Sequence, residues 1–189
     1  MDDRNIKIVE TAFRLFAHYG VTKTSMAEIA SESGVARQTL YNSFENKEDL
    51  IFAALLHYAG QSKANIERDC VGITEIDLRL EILFEHLVNI PFEAMQRLPH
   101  LDEILVLGDN LSSERKTQIR DTYMSAIQHV FLPFENQLYE QGIVPLQLYD
   151  LLKAVFTQIK RDANNSDHLR KLFEPIRTLL LNSLVNLEQ

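Results

Sequence analysis

Residues 34–47 of this 189-residue chain read GVARQTLYNSFENK. Within them, Leu40 and Phe44 stand four residues apart, a spacing that brings two side chains to one face of a helix, and Val35 adds a third apolar side chain. The spacing predicts a short helix over residues 36–44 whose apolar face packs on a core. An ordinary amphipathic helix has the same spacing, so the pattern does not by itself indicate a function.

The outward side of this short helix is polar. Arg37 and Tyr41 form one row along it, and Gln38 and Asn42 form the adjacent row. In the major groove of DNA, arginine pairs with guanine, and glutamine or asparagine pairs with adenine. The two rows favour a surface that reads DNA bases, although Tyr41 taken alone also fits a core position.

Two predicted helices precede this one. Helical spacing of apolar residues covers residues 6–19, and Gly20 is the expected stop. Ser25 and Glu28 then form a capping box that starts a short helix, which ends near Gly34. Two short helices joined by a tight turn, behind a supporting helix, are the plan of a helix-turn-helix, whose second helix enters the major groove.

The first quarter of the chain resembles the signature of the TetR family of transcriptional regulators. The residues that carry the resemblance are 34–50, 8–16, Gly20, Thr24-Ser25 and Ile29-Ala30. The resemblance implies a homodimeric repressor that binds a palindromic operator, with one recognition helix of each subunit in a major groove. It also implies that a small ligand in a helical domain changes the spacing of the two DNA-binding heads.

The resemblance assigns roles by position. It implies base contacts from Arg37, Gln38 and Asn42. It implies phosphate contacts from Thr39, Tyr41 and Lys47, and from Thr24 and Ser25 at the start of the preceding helix.

Two positions depart from the family pattern. Ala36 stands where a serine or threonine often caps the recognition helix, and loss of such a cap costs roughly 0.5–2 kcal/mol. Ser43 stands where an aromatic residue or histidine is common, so the phosphate contact expected there is weakened. Outside the motif, Lys47 would be an ordinary solvated lysine.

Helical spacing continues along the chain and predicts an all-α fold of about nine helices. A three-helix helix-turn-helix DNA-binding domain is expected over residues 1–46, and a helical bundle for ligand binding and dimerisation over residues 47–189. The later helices are expected over residues 47–70, 74–90, 113–141, 145–161 and 167 to Leu187, with Pro91, Pro99, Pro133 and Pro175 as kinks or breaks and Gly108-Asp109-Asn110 as a loop.

Composition narrows the class of protein. A hydrophobic fraction of 46% and a net charge of -8 argue against a disordered chain. The single cysteine, Cys70, excludes an internal disulfide and is interpreted as a packed residue rather than a redox sensor. No apolar run reaches the roughly 18 residues of a membrane span, and no signal peptide is evident, so a cytoplasmic protein without a membrane partner is expected.

The acidic balance, with a pI near 5.2, speaks against a nucleic-acid partner when taken alone. Residues 1–50 carry six basic and eight acidic side chains, a net charge of -2, which leaves -6 on the remainder. Arg37 and Lys47 nevertheless stand on the expected DNA face. The balance therefore predicts few phosphate contacts and a dependence on dimerisation and base contacts.

Large apolar side chains beyond residue 50 indicate a pocket for a hydrophobic or amphipathic effector, although each one is also explained as ordinary core. The apolar candidates are Phe52, Leu56, Phe84, Phe92, Met95, Tyr123, Ile127, Phe131 and Phe156. The polar candidates are His57, His86, Gln96 and Gln128.

Two apolar stripes near the C-terminus predict a dimer face, unless both pack within one subunit. The first stripe consists of Leu151, Val155 and Ile159. The second consists of Leu172, Ile176, Leu179, Leu180, Ser183 and Leu184.

No motif of a catalytic site occurs, and the six histidines are scattered without the spacing of a helical zinc site. No enzyme, metal or cofactor is therefore expected. The alternative function is a helical dimer that serves as a protein-interaction or ligand-sequestering module with a weakened DNA-binding head.

Overall fold

The computed structural model describes residues 1–185, which are all-α and contain no strand. Nine helices in this range confirm the predicted fold class. They are α1 Asp3–Tyr19, α2 Met26–Ser33, α3 Arg37–Ser43, α4 Lys47–Asp69, α5 over 76–97, α6 Leu101–Asp109, α7 over 113–140, α8 Pro145–Asp162 and α9 Ser166–Val185. The predicted end of the last helix at Leu187 lies outside the described residues.

Two of the helices contain an irregular turn. In α5, Ile76–Phe84 continues through a π turn, Glu85–Asn89, into Ile90–Arg97. Of the two predicted outcomes at Pro91, a kink or a break, the break is wrong because the helix continues through this residue. In α7, Ser113–Phe131 and Glu135–Glu140 are joined by a 3-10 turn, Leu132–Phe134, which contains Pro133 and confirms the predicted kink there.

The helix ends follow the local signals of the sequence. The Ser25 hydroxyl accepts from the Glu28 N–H, and the Glu28 carboxylate accepts from the Ser25 N–H at 2.6 Å, which confirms the capping box. Gly34 ends α2 in the left-handed conformation, with φ of 73°. The Asn46 side chain accepts from the Asp49 N–H at 3.0 Å and caps α4. These local contacts fix both ends of α2 and the start of α4.

The chain forms two compact units. The first, here called the head unit, comprises Met1–Gly60 and Ala94–Arg120; the second, the bundle unit, comprises Gln61–Glu93 and the chain from Asp121 onward. The predicted division at residue 46 concerns function, and it stays a prediction.

The core of the head unit draws on both of its segments. Leu50, Ile51 and Ala54 of α4, with Leu101 and Ile104 of α6, complete the apolar cluster that the first three helices begin.

Gly108 lies within the last turn of α6, not in the predicted loop Gly108-Asp109-Asn110. Asp109 also belongs to the helix, and only Asn110 follows it. A Cβ on Gly108 would come within 2.6 Å of Leu55 Cδ1. This glycine therefore serves a close approach between α6 and α4 rather than a turn.

In the bundle unit, a lysine compensates for the proline inside α5. Pro91 has no N–H, so the Leu87 carbonyl lacks its usual helical partner. The half-buried Lys160 of α8 donates its ammonium to that carbonyl at 2.9 Å. Burial, and then the neighbouring charges of Arg161 and Lys153, lower the pKa of Lys160 to about 8.

A buried arginine does the same at Pro133 of α7. Arg79, only 8% exposed, donates to the His129 carbonyl at 2.9 Å and to the Val130 carbonyl at 3.1 Å. Its Nε also donates to the Ile73 carbonyl at 2.7 Å. The guanidinium thus joins the kink of α7 to the turn before α5 and supplies a donor to two carbonyls at the kink. No helix within residues 1–185 has both the length and the apolar character needed to cross a membrane.

We expect Lys160→Met to change the pH dependence of stability. The pKa of Lys160 is about 8 in the fold and close to 10.5 in the unfolded chain, so between these values the unfolded chain binds more protons. The contribution of Lys160 to the free energy of unfolding should therefore rise from pH 8 to pH 10. This rise should be absent in Lys160→Met. Urea titrations at several pH values measure it.

The matched control is Lys171→Met, which removes an exposed lysine from α9. This variant should keep the native pH profile. Identical profiles for the native protein and Lys160→Met would contradict the assignment.

Candidate DNA-binding surface

The short helix α3 has the predicted apolar back. Leu40 is fully buried and Phe44 is 8% exposed, and both belong to the core of the head unit. Val35, in the turn between α2 and α3, is partly buried against the same cluster. Its N–H donates to the Ala30 carbonyl at 3.0 Å, which closes the tight turn. The back of α3 is thus fixed by packing, and its orientation relative to α2 by the turn.

The front of α3 is exposed, as predicted. Arg37, Gln38, Tyr41 and Asn42 are all exposed, and Tyr41 keeps 48% of its surface, so it is not a core tyrosine. The Gln38 amide donates to the Asn42 Oδ1 at 2.9 Å. This pair holds two base-reading amides in one row. The Gln38 oxygen and the Asn42 amide N–H groups take no part in their mutual hydrogen bond.

The start of α2 presents a serine that is already engaged. The exposed Ser25 hydroxyl donates to Glu28 at 2.8 Å and accepts from the Glu28 N–H. The Ser25 backbone N–H, followed by its hydroxyl, holds the pKa of Glu28 below its usual value, with a smaller contribution from the charge of Lys47. The free N–H groups of Met26 and Ala27 remain at the helix N-terminus, where they are suited to an anion.

Two predicted phosphate contacts are turned toward the protein. Thr24 is 4% exposed, and its hydroxyl donates to the Gly20 carbonyl at 2.9 Å, so this side chain is not presented at the surface. The Lys47 ammonium donates to the Val21 carbonyl at 2.7 Å. Family position alone suggested surface roles, but burial and the acceptors offered by the turn after α1 decide where both side chains lie. Thr39 is half-buried.

The first turn of α4 is also tied to α7. Arg115 donates to Asp49 at 2.6 Å and to Glu48 at 3.4 Å, and its guanidinium lies 5.0 Å from the centroid of the Phe52 ring. Sequence reasoning missed Arg115, because it is separated from Asp49 by 66 positions and no local pattern marks it. Charge and stacking therefore fix the end of α4 that follows α3.

The predicted effector residues do not form one group. Five of them, Phe84, Phe92, Ile127, Phe131 and Phe156, are 0–2% exposed and belong to the bundle core. Gln96 and Gln128 are exposed, and Leu56, Met95 and Tyr123 are half-buried. His57 contacts Glu10 at 3.3 Å, and His86 contacts Asp69 at 2.8 Å.

The two surface depressions that stand out have other linings. One, of about 570 Å³, lies in the head unit and includes Arg14, Lys23 and His100. The other lies along α9 and includes Pro175 and Leu179. Within the described residues, no cluster of three or more His, Cys, Asp or Glu side chains could hold a metal ion.

The predicted dimer stripes divide into core and surface. Ile159, Leu180 and Leu184 are 5–7% exposed and belong to the bundle core. Val155, Leu172, Ile176 and Ser183 are half-buried. Leu151 and Leu179 are exposed to 58% and 68%. The exposed remainder of each stripe is the part available to a second subunit.

Comparison with known proteins finds a family match at the N-terminus. Residues 8–54 match the family described as bacterial regulatory proteins, tetR family. The chain is 39% identical over 75 residues to the uncharacterized HTH-type transcriptional regulator YerO of Bacillus subtilis, a match that covers 38% of this chain and 26% of YerO. The aligned part thus spans about a quarter of that relative's length.

Solved structures share the fold along nearly the whole chain. The TetR family repressor AlkX from Dietzia sp. gives a TM-score of 0.67 at 17% identity, covering 95% of this chain and 97% of AlkX. The transcriptional regulator FadR from Bacillus subtilis, solved in complex with stearoyl-CoA, gives 0.64 at 16% identity, covering 94% and 98%. At these identities the likeness shows the fold alone.

We expect Ala36→Ser to stabilise the protein. Ala36 occupies the cap position of α3 with extended backbone, φ of -65° and ψ of 144°, and provides no side-chain hydrogen bond. A serine hydroxyl there would accept from the Gln38 or Thr39 N–H and contribute about 1 kcal/mol to the free energy of unfolding. Chemical denaturation measures the gain.

The same chemical change at Ala64, an exposed position inside α4, serves as the control. There the hydroxyl has no cap to complete, and serine is a poorer helix former, so a small loss is expected. An Ala36→Ser variant no more stable than the native protein would refute the role of this position.

Proposed function

Because the chain belongs, through residues 8–54, to the TetR family of bacterial regulatory proteins, we propose that it is a transcriptional repressor. It binds a palindromic operator as a homodimer and is released by a small hydrophobic effector. The observation that carries the proposal is the exposed polar front of α3 above its fully buried Leu40. Because the proposed ligand is DNA, we expect the protein to act in the cytoplasm, and this location stays a prediction.

Arg37 and the Gln38–Asn42 pair read the bases. Arg37 is in the first turn of α3, the end of a recognition helix that reaches base edges. Its guanidinium suits guanine, and the row formed by the two amides suits adenine. Tyr41 and the backbone N–H groups at the start of α2 contribute the phosphate contacts.

Affinity depends on the second subunit. The net charge of -2 on residues 1–50 gives each head few phosphate contacts, so binding of one head to nonspecific DNA is weak. Two heads on one palindrome combine their base contacts, which is the reason for proposing a homodimer. The exposed Leu151 of α8 and Leu179 of α9 are the centre of the proposed subunit contact.

A hydrophobic effector is supported by composition and by fold. Within the head unit, the half-buried Leu56 and Met95 are apolar, as expected for part of a pocket lining. The structurally similar FadR was solved with stearoyl-CoA, a ligand with a long apolar chain. An effector that binds one head spacing more tightly than another shifts the population away from the spacing that fits successive major grooves, about 34 Å apart.

We expect the protein to select a palindrome from a pool of random duplexes, and Arg37→Ala to weaken binding to that sequence by about 1–3 kcal/mol. Because the lost contact is to one base, a second selection with the variant should show relaxed preference at one position of each half-site. Fluorescence titration measures the affinity.

The control removes the same charge elsewhere. Arg68→Ala deletes an exposed guanidinium at the C-terminal end of α4 and should leave affinity and selected sequence unchanged. A native protein that enriches no palindrome would favour the protein-interaction or ligand-sequestering alternative. Unchanged binding and unchanged base preference in Arg37→Ala would remove Arg37 from the base-reading set.

We expect Leu179→Glu to convert the dimer to a monomer. A carboxylate at this 68% exposed position would have to be buried without a partner when two subunits associate. Sedimentation velocity should show a single species of about 22 kDa, near the chain mass of 21.8 kDa. Operator affinity should fall with it.

The matched control is Leu132→Glu, the same change at a 56% exposed leucine in the 3-10 turn of α7. This variant should remain dimeric. A dimeric Leu179→Glu variant would exclude this face of α9 as the subunit contact.

A further inference from the structure

The turn between α1 and α2 is held by two charged side chains, which bind the N–H and the carbonyl of a single residue, Val21. The Val21 N–H donates to the Glu103 carboxylate at 2.9 Å, and the Val21 carbonyl accepts from the Lys47 ammonium at 2.7 Å. Lys47 is at the start of α4, whereas Glu103 comes from α6, 82 positions away from Val21. Both contacts lie within the head unit.

The Glu103 carboxylate lies close to the backbone of Gly20. Gly20 has a φ of 91°, and a Cβ there would lie only 3.0 Å from the Glu103 Oε1. That oxygen contacts His100 Nδ1 at 2.8 Å, while Oε2 accepts from Val21. The His100 backbone N–H also donates to the Ala17 carbonyl at 3.0 Å. The end of α1 and the following turn are therefore bound to one short segment, 100–103.

We propose that Glu103 is a positioning residue for DNA binding. α2 begins four residues after Val21, at the Ser25 cap, so the hydrogen bond to Val21 sets where the N-terminus of α2 lies. The tight turn at Val35 then fixes the position of α3 relative to α2. The apparatus that binds DNA thus extends to α6, beyond residues 8–54.

Packing alone does not perform this role. The apolar core of the head unit holds the helices together, but apolar contacts are non-directional and tolerate small shifts of a turn. A hydrogen bond has a preferred length and direction, so the contact with Glu103 fixes the Val21 N–H within a narrower range. Base contacts require that narrower range, because a small displacement of α3 breaks bidentate pairing.

The test compares three variants of Glu103 on the palindrome that the native protein selects. Glu103→Ala removes the acceptor and should weaken operator binding about tenfold, the size of effect expected when a hydrogen-bond donor loses its acceptor. Glu103→Asp keeps the charge but withdraws it by one methylene, and an intermediate loss is expected. Glu103→Gln keeps an oxygen that accepts from Val21, so it should bind within about twofold of the native protein.

Hydrogen exchange of the Val21 amide separates positioning from stability. In Glu103→Ala and Glu103→Asp this amide should exchange faster, while amides of the buried segment of α1 and the urea midpoint stay near native values. The matched control, Asp102→Asn, neutralises an exposed carboxylate one position earlier on α6 and should change neither property. If Glu103→Ala fails to fold, Glu103→Asp compared with Glu103→Gln decides the question.

Two outcomes would overturn the proposal. One is native operator affinity in a variant whose Val21 amide exchanges faster. The other is a Glu103→Gln variant as weak as Glu103→Ala, which would mean that charge, not the hydrogen bond, matters. The inference rests on the proposed DNA-binding function; a native protein that selects no sequence overturns both, whereas native binding with unaffected variants overturns this inference alone.

Discussion

A three-helix head of about 45 residues buries only a small apolar surface and is marginally stable by itself, and the rest of the head unit follows from that constraint. Leu50 and Ile51 of α4 and Leu101 and Ile104 of α6 supply the missing surface. Once α6 packs there, its polar side chains come within reach of the turn after α1. The compact unit therefore includes residues 94–120 in addition to residues 1–60.

The bundle unit meets a different constraint, since its helices α5, α7 and α9 each contain an internal proline. Each proline leaves a carbonyl without an N–H partner, and an unsatisfied buried carbonyl is costly. Lys160 donates to the Leu87 carbonyl, and Arg79 donates to the His129 carbonyl. An apolar side chain at either site would leave the carbonyl without this donor. In the head unit, Lys47 donates to the Val21 carbonyl in the same way.

Local signals predicted the helix-turn-helix and its exposed face. The capping box of Ser25 and Glu28 involves residues three positions apart, and the burial of Leu40 follows from helical spacing, so both can be recognised in the sequence. The sequence pattern did not distinguish apolar residues that line a pocket from those that fill a core. Apolar residues such as Phe84 and Phe156 have the same pattern whether they line a pocket or fill a core, and in the structure they fill the bundle core.

The sequence by itself determined the class of fold, the first four helices and the polar rows of α3, because these depend on contacts within one or two helical turns. Only the tertiary structure decided which charged groups support that surface. Glu103 and Arg115 reach Val21 and Asp49 from 82 and 66 positions away. No periodicity connects positions so far apart; the packing of α6 and α7 on the first helices does.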